Sequence, residues 1–192
     1  MTETQDKIMM AALELFTRYG IQRTSMADIA KQAGLSRQTV YTTFASKDDL
    51  IAETIANRVS AVVDQIREKI ADCKSLGEQL DFYFELMVIR PFEFLIDNPD
   101  AAFLWRISRV LDQHPAILKA QKKHRQLLAD LFVPYTKSIG SADQTPFRLA
   151  DFIMMTCREL KVGEVKSRKE LDQLVETLQA TILAITKAKE AA

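Results

Sequence analysis

Between Ile21 and Leu50 the chain carries the punctuation of two short helices and little else. Ser25 can cap the first, and Asp28, three positions on, can reach back to close the cap. Ile29, Ala30 and Ala33 give it an apolar face, and Gly34 permits the left-handed residue that ends a helix and opens a turn. Ser36 can cap a second helix whose inward residues are Val40 and Phe44. Its outward residues, Arg37, Gln38, Thr39, Tyr41 and Thr42, form a polar surface of the kind the DNA major groove admits. The pattern is a helix-turn-helix with its recognition helix facing out.

Charge agrees locally. From Ile21 to Lys47 the basic residues are Arg23, Lys31, Arg37 and Lys47, against the lone acid Asp28. The whole chain balances 26 basic against 26 acidic residues, so positive charge is concentrated where phosphates would lie. On spacing alone, a plain helical hairpin with a solvated basic face stays open.

The wider order of residues narrows the choice. Tyr19-Gly20 closes an opening amphipathic helix; then come Thr24-Ser25, Ile29-Ala30, Ala33-Gly34-Leu35-Ser36, Tyr41-Thr42-Thr43-Phe44 and Lys47-Asp48-Asp49-Leu50. With these landmarks residues 6–51 resemble the DNA-binding domain of TetR-family transcriptional regulators. The remaining chain resembles that family only in size and helical character. Two residues depart from the pattern. Arg37 stands where many relatives have a small residue, and it can make a bidentate contact to guanine. Thr42 replaces an aromatic residue often used near the DNA backbone. The resemblance implies base readout by Arg37, Gln38, Thr39, Tyr41 and Thr42, with Thr24, Ser25 and Lys47 on the phosphates.

The chain has 192 residues, 47% hydrophobic and 27% charged, with only five glycines and five prolines. Sparse punctuation favours long helices, and no Asn-Gly or Asp-Gly hairpin signal appears, so the expected class is all-α. The first residues are polar and acidic rather than a secretory leader, and no apolar run approaches the roughly 18 residues of a membrane span. A cytoplasmic protein is expected. Cys73 and Cys157, with His114 and His124, offer no metal-ligand spacing, so neither a metal nor a cofactor is expected. Idle or buried thiols are the main reading of the cysteines and a redox pair the alternative.

Helix one should run from about Gln5 to Tyr19, its face made by Ile8, Ala11, Ala12, Leu15, Phe16 and Tyr19. Ser46 should cap a long fourth helix through Ile70, a span of about 35 Å at about 1.5 Å per residue. Ser75 with Glu78 opens a fifth, rich in Phe and Leu, that Pro91 should kink. Asn98-Pro99 and Thr145-Pro146 read as cap-proline starts of a sixth and an eighth helix. A seventh follows Pro115 and bends at Pro134, and Ser167 with Glu170 opens a ninth. The organisation expected is a three-helix helix-turn-helix domain over residues 1–46, joined by a long helix to a helical effector-binding and dimerisation domain over 47–192.

Leu171, Leu174, Val175, Leu178, Ile182 and Ile185 form an apolar stripe on the ninth helix, and Phe147, Ala150, Ile153, Met154, Cys157 and Leu160 mark the eighth. The stripe is either intrachain core or a homodimer seam formed by residues 146–160 and 168–186. The resemblance favours the seam, and two recognition helices on a dyad would read a pseudo-palindromic operator. Aromatic and methionine residues crowd the middle of the chain. Most are expected to be core, yet neighbours such as Phe82-Tyr83-Phe84 cannot all face one partner helix. The resemblance implies a small effector held there, with Phe84, Met87, Phe92, Phe103, Trp105 and Met154 as candidates, and Glu85, Arg90, Glu93, Arg106 and Arg109 as nearby polar groups. No nucleophile triad, phosphate loop or His-Glu-x-x-His supports an enzyme. A dimeric repressor released from DNA by an apolar or aromatic effector is expected; the alternative is a DNA-binding protein, architectural or regulatory, without an effector.

Overall fold

The computed structural model describes residues 2–98, 107, 110–135, 145–162 and 165–187. All regular structure among the described residues is helical. We label the α-helices α1 (Glu3–Tyr19), α2 (Met26–Ala33), α3 (Arg37–Thr43), α4 (Lys47–Ile70), α5 (Leu76–Phe84), α6 (Arg90–Asp97), α7 (Pro115–Phe132), α8 (Pro146–Val162) and α9 (Arg168–Lys187). Of the expected sixth helix, Phe103, Trp105, Arg106 and Arg109 lie outside the described residues, while Ile107 and Val110 are helical. The chain divides into two compact units, one comprising Met1–Val59 and Leu95–Gln121, the other Ser60–Phe94 and Lys122–Ala192.

The first unit is closed by local signals. Thr2 caps α1 and exchanges bonds with Gln5, a capping box the sequence reading missed by starting the helix later. Ile8, Ala12 and Phe16 on α1 bury against Ile29 of α2, Val40 of α3, Phe44, and Leu50 of α4. Burying a side chain the size of Phe16 contributes about 1.5–3 kcal/mol. Tyr19 corrects the expected inward face. It is 46% exposed, because the chain turns away at Gly20, and Arg18 stacks over its ring at 5.2 Å. Ile107 and Leu111 also pack on this core. Ala52 and Ala56 of α4 form a second buried cluster with Ile117 and Ala120 of α7.

In the second unit α9 packs on α5, and both α8 and α9 pack on the segment Glu85–Ile89. That segment is a single π-helical stretch between α5 and α6, so the expected kink at Pro91 takes the form of a wide turn just before it. Pro91 has no N–H to donate, and the wide turn re-routes the ladder ahead of it. Tyr83 is fully buried, and its hydroxyl lies 2.9 Å from His124 Nε2. Burial, then the neighbouring Cys157, pushes its pKa well above the ordinary tyrosine value. Cys73 and Cys157 are both free thiols.

Ser75 and Ser167 each accept the N–H three residues on, as expected, at 3.2 Å. Glu78 and Glu170, however, bond the N–H of Lys74 and Lys166, one residue before the cap. The α9 stripe is divided. Leu171, Val175, Leu178 and Ile182 are buried within the chain, while Leu174 and Ile185 stay exposed. Phe82 and Phe94 are also exposed, whereas Phe84, Met87 and Phe92 are buried.

Candidate DNA-binding interface

The turn between α2 and α3 is built as its residues require. Ser25 Oγ accepts the Asp28 N–H at 3.2 Å, and Asp28 Oδ2 accepts the Ser25 N–H at 2.9 Å and its hydroxyl at 2.6 Å. These bonds, led by the one from the hydroxyl, hold the Asp28 carboxyl below its ordinary value. Gly34 sits at φ 67°, ψ 31°. The Leu35 N–H reaches back to the Ala30 carbonyl at 2.9 Å and the Gly34 N–H to Lys31, which terminates α2 in the manner only a left-handed residue allows.

Ser36 Oγ then caps α3 by accepting the Thr39 N–H at 3.0 Å. Val40 and Phe44 anchor the helix from below. Arg37, Gln38 and Thr42 are exposed, Tyr41 is 55% exposed and Thr39 half-buried. The hydroxyls of Thr42 and Thr43 both donate to the Thr39 carbonyl, at 3.0 and 2.7 Å. Within the chain, Arg37 has Asp28 as an electrostatic neighbour.

Beside α3 lies an open hollow of about 540 Å³, lined by Gln22, Arg23, Thr24, Ser25, Met26, Tyr41, Ala45, Ser46 and Lys47. The N-terminal ends of α2 and α4 both open onto it. Their helix dipoles favour an anion there, while Asp48 and Asp49 in the first turn of α4 set negative charge against it. Lys47 Nζ donates to the Ile21 carbonyl at 2.6 Å, and burial holds its pKa below the ordinary lysine value. An ammonium has three donors, so the groove keeps a cation while the turn is held. Thr24 faces inward, 3% exposed, its hydroxyl donated to the Gly20 carbonyl at 2.9 Å. The sequence reading had no means of finding the Lys47 bond, which joins residues 26 apart. The interface thus gathers Ser25, Tyr41 and Lys47 about one hollow and sets Arg37, Gln38 and Thr42 on the exposed surface of α3.

The effector candidates are spread along the second unit: Phe84 ends α5, Met87 is in the π segment, Phe92 is in α6, and half-buried Met154 is in α8. Glu85 pairs with Arg90 at 2.8 Å, and Glu93 pairs with Arg168. Among the described residues no group of His, Cys, Asp and Glu is placed to hold a metal. No helix among them is long and apolar enough to cross a membrane.

Known proteins share the sequence pattern and the fold. Residues 8–54 match the family model described as bacterial regulatory proteins, tetR family. The HTH-type transcriptional regulator YvdT of Bacillus subtilis is 33% identical over 91 residues, 47% of this chain and 44% of that one. An HTH-type transcriptional regulator of Mycobacterium tuberculosis is 27% identical over 188 residues, 97% of this chain and 88% of its own. Among solved structures, the transcriptional regulator FadR from Bacillus subtilis, in complex with stearoyl-CoA, superposes with a TM-score of 0.64 at 19% identity. It covers 94% of this chain and 97% of its own, a likeness of fold.

Proposed function

The chain belongs to the TetR family of transcriptional regulators, and from that premise we propose that it binds a pseudo-palindromic operator as a homodimer and represses until a small effector releases it. The observation that carries the DNA reading is the pairing of an exposed α3 that carries Arg37 with an open hollow that holds Lys47 and is flanked by two helix N-termini. Arg37 and Gln38 are proposed to read bases with Thr39, Tyr41 and Thr42. Ser25 and Lys47 are proposed to meet phosphate, with Thr24 fixing the turn that presents them.

Duplexes enriched from a random library by the full-length protein supply the test. Arg37→Ala should cost about 1–3 kcal/mol and relax preference at one base pair. Lys47→Ala should weaken all sequences alike and lower the salt slope by roughly one. Undiminished binding after replacement of both Arg37 and Tyr41 would sink the assignment.

The homodimer reading is supported by apolar side chains left exposed on two helices: Phe152 and Met155 on α8, Leu174 and Ile185 on α9. Two related recognition helices would then meet half-sites one helical turn or a multiple apart. Met155→Glu with Leu174→Glu should give a folded monomer in sedimentation that no longer holds the palindrome. Leu178 is the wrong probe, because it is buried within the chain. A parent protein that is monomeric at micromolar concentration removes this part of the proposal.

The effector is proposed to be apolar or aromatic, resting on Phe84, Met87 and Phe92 with Phe103, Trp105 and Met154. The stearoyl-CoA bound by the Bacillus subtilis FadR supports an acyl chain as one such group. A coupling of about 1–3 kcal/mol would change operator occupancy roughly 5- to 150-fold. Trp105 fluorescence and operator release should share one midpoint in ligand concentration. Separate midpoints, or no responsive ligand in a melting-temperature screen, favour an effector-free DNA-binding protein.

A further inference from the structure

Asp49 stands in the first turn of α4, just past the link that closes the recognition helix. Its N–H donates to Ser46 Oγ at 3.0 Å, and its Oδ2 accepts the Ala45 N–H, also at 3.0 Å. Ala45 directly follows Phe44, the buried residue that ends α3. The other carboxylate oxygen, Oδ1, lies 3.2 Å from His114 Nε2, a residue 65 positions away.

His114 in turn caps α7. Its carbonyl accepts the Leu118 N–H at 3.0 Å, and its Nδ1 accepts the Ala116 N–H at 3.3 Å. With Nδ1 accepting, the ring proton belongs on Nε2, where it is donated to Asp49. One carboxylate and one imidazole therefore join the end of α3 to the start of α7 through a continuous run of directional bonds. The two side chains are only 31% and 22% exposed, so water competes weakly for them. Around them the packing of Ile107, Leu111, Ile117 and Ala120 is apolar. Such packing holds elements together without fixing their angle; the hydrogen bonds supply direction.

We propose that Asp49 and His114 are positioning residues for operator binding, setting the angle of the recognition helix by tying its C-terminal link to the N-terminus of α7. The proposal rests on the DNA-binding reading above. Neither residue touches DNA in it.

The full-length protein and a duplex enriched by the wild type from a random library provide the test. His114→Ala should weaken binding to that duplex by about 2- to 30-fold, the range expected for a residue that couples without contacting ligand. Binding to an unrelated duplex should stay within about twofold, because the phosphate contacts are intact. Asp49→Asn, which can accept only one of the two donors, should lose a similar factor. The double variant should be no weaker than the worse single one, since both remove the same link. His114→Gln, whose amide can still donate to Asp49, should recover most of the loss. Equal affinity of His114→Ala and wild type, multiplied losses in the double variant, or no recovery by His114→Gln overturns the proposal.

Should the variants fail to fold by circular dichroism, hydrogen exchange on the wild type decides. Adding the enriched duplex should slow exchange at residues 114–118 at least threefold, and unchanged exchange there overturns the proposal. A wild-type protein that enriches no duplex overturns the DNA-binding reading itself and this inference with it. A wild type that binds while His114→Ala binds equally well overturns this inference alone.

Discussion

The two units bury their polar groups in different ways. In the first, the buried hydroxyls answer to their own stretch of chain: Thr24 to the Gly20 carbonyl and Thr54 to the Leu50 carbonyl, each four residues back. In the second, Thr186 does the same with Ile182, but Tyr83 on α5 reaches His124 on α7, 41 residues on. Thr54 and Thr186 return their hydroxyls to carbonyls of their own helices, and such a bond costs the fold little if it is lost, because the carbonyl keeps its ladder partner. A phenol bonded across the core holds two helices at one distance and angle, and the low dielectric around it makes a broken bond expensive. The buried hydroxyls described in the first unit thus bond locally, and its long-range polar links, Lys47–Ile21 and Asp49–His114, are only partly buried, whereas the second unit holds Tyr83–His124 inside its core.

The largest expected effect tests the apolar half of that contrast. Phe16→Ala should cost about 3–5 kcal/mol in denaturant unfolding, since the ring is fully buried at the meeting point of α1, α2 and α3. Next comes Tyr83→Phe, expected to cost about 1–3 kcal/mol by taking one bond from a buried imidazole. Thr54→Val should cost less than Tyr83→Phe in the same assay. Equal losses would erase the distinction between the units.

Gly34→Ala should cost about 1–2 kcal/mol, the price of a left-handed Cβ. A methyl group there meets nothing within 4 Å, so the loss is one of backbone alone and should lower melting temperature with little change in α3 packing. The smallest effect is set by pH. Asp28 and Asp151 are both held below the ordinary aspartate value, by Ser25 and by Arg125. A depressed carboxylate stabilises above its unfolded pKa, and that contribution is lost as pH falls through the folded one. The protection factor of the Asp28 amide, its exchange rate relative to that of an unfolded chain at the same pH, should therefore fall only below the ordinary aspartate range. A loss of protection near neutral pH would mean that the capping box is not what closes α2.

Much of the first unit was legible because its signals are short-range. Ser25 and Asp28 form their box, Gly34 takes its left-handed conformation, and Val40 and Phe44 are buried where spacing put them. Tyr19 was misjudged because periodicity cannot see that the neighbouring wall ends with the helix. In the second unit the helix starts at Ser75, Thr145 and Ser167 were readable from their caps. The links Lys47–Ile21, Asp49–His114 and Tyr83–His124 were not. Each joins residues far apart in sequence, and a polar side chain carries no periodic mark of its partner. The stripe on α9 shows the same limit. Its spacing gives a face, but only the packed chain separates Leu178, used within it, from Leu174, left outside.

The π stretch at Glu85–Ile89 has a consequence best put as timing. A regular α-helix completes a turn in about 3.6 residues, so side chains eight apart fall well out of step, while seven apart nearly coincide after two turns. Phe84 and Phe92 are eight apart and both are buried. The wide turn holds back one count between them and brings the second ring round to the beat of the first. Read this way, it is a one-residue insertion absorbed without unwinding the helix. It lets a crowded run of aromatics address one interior from both sides of Pro91.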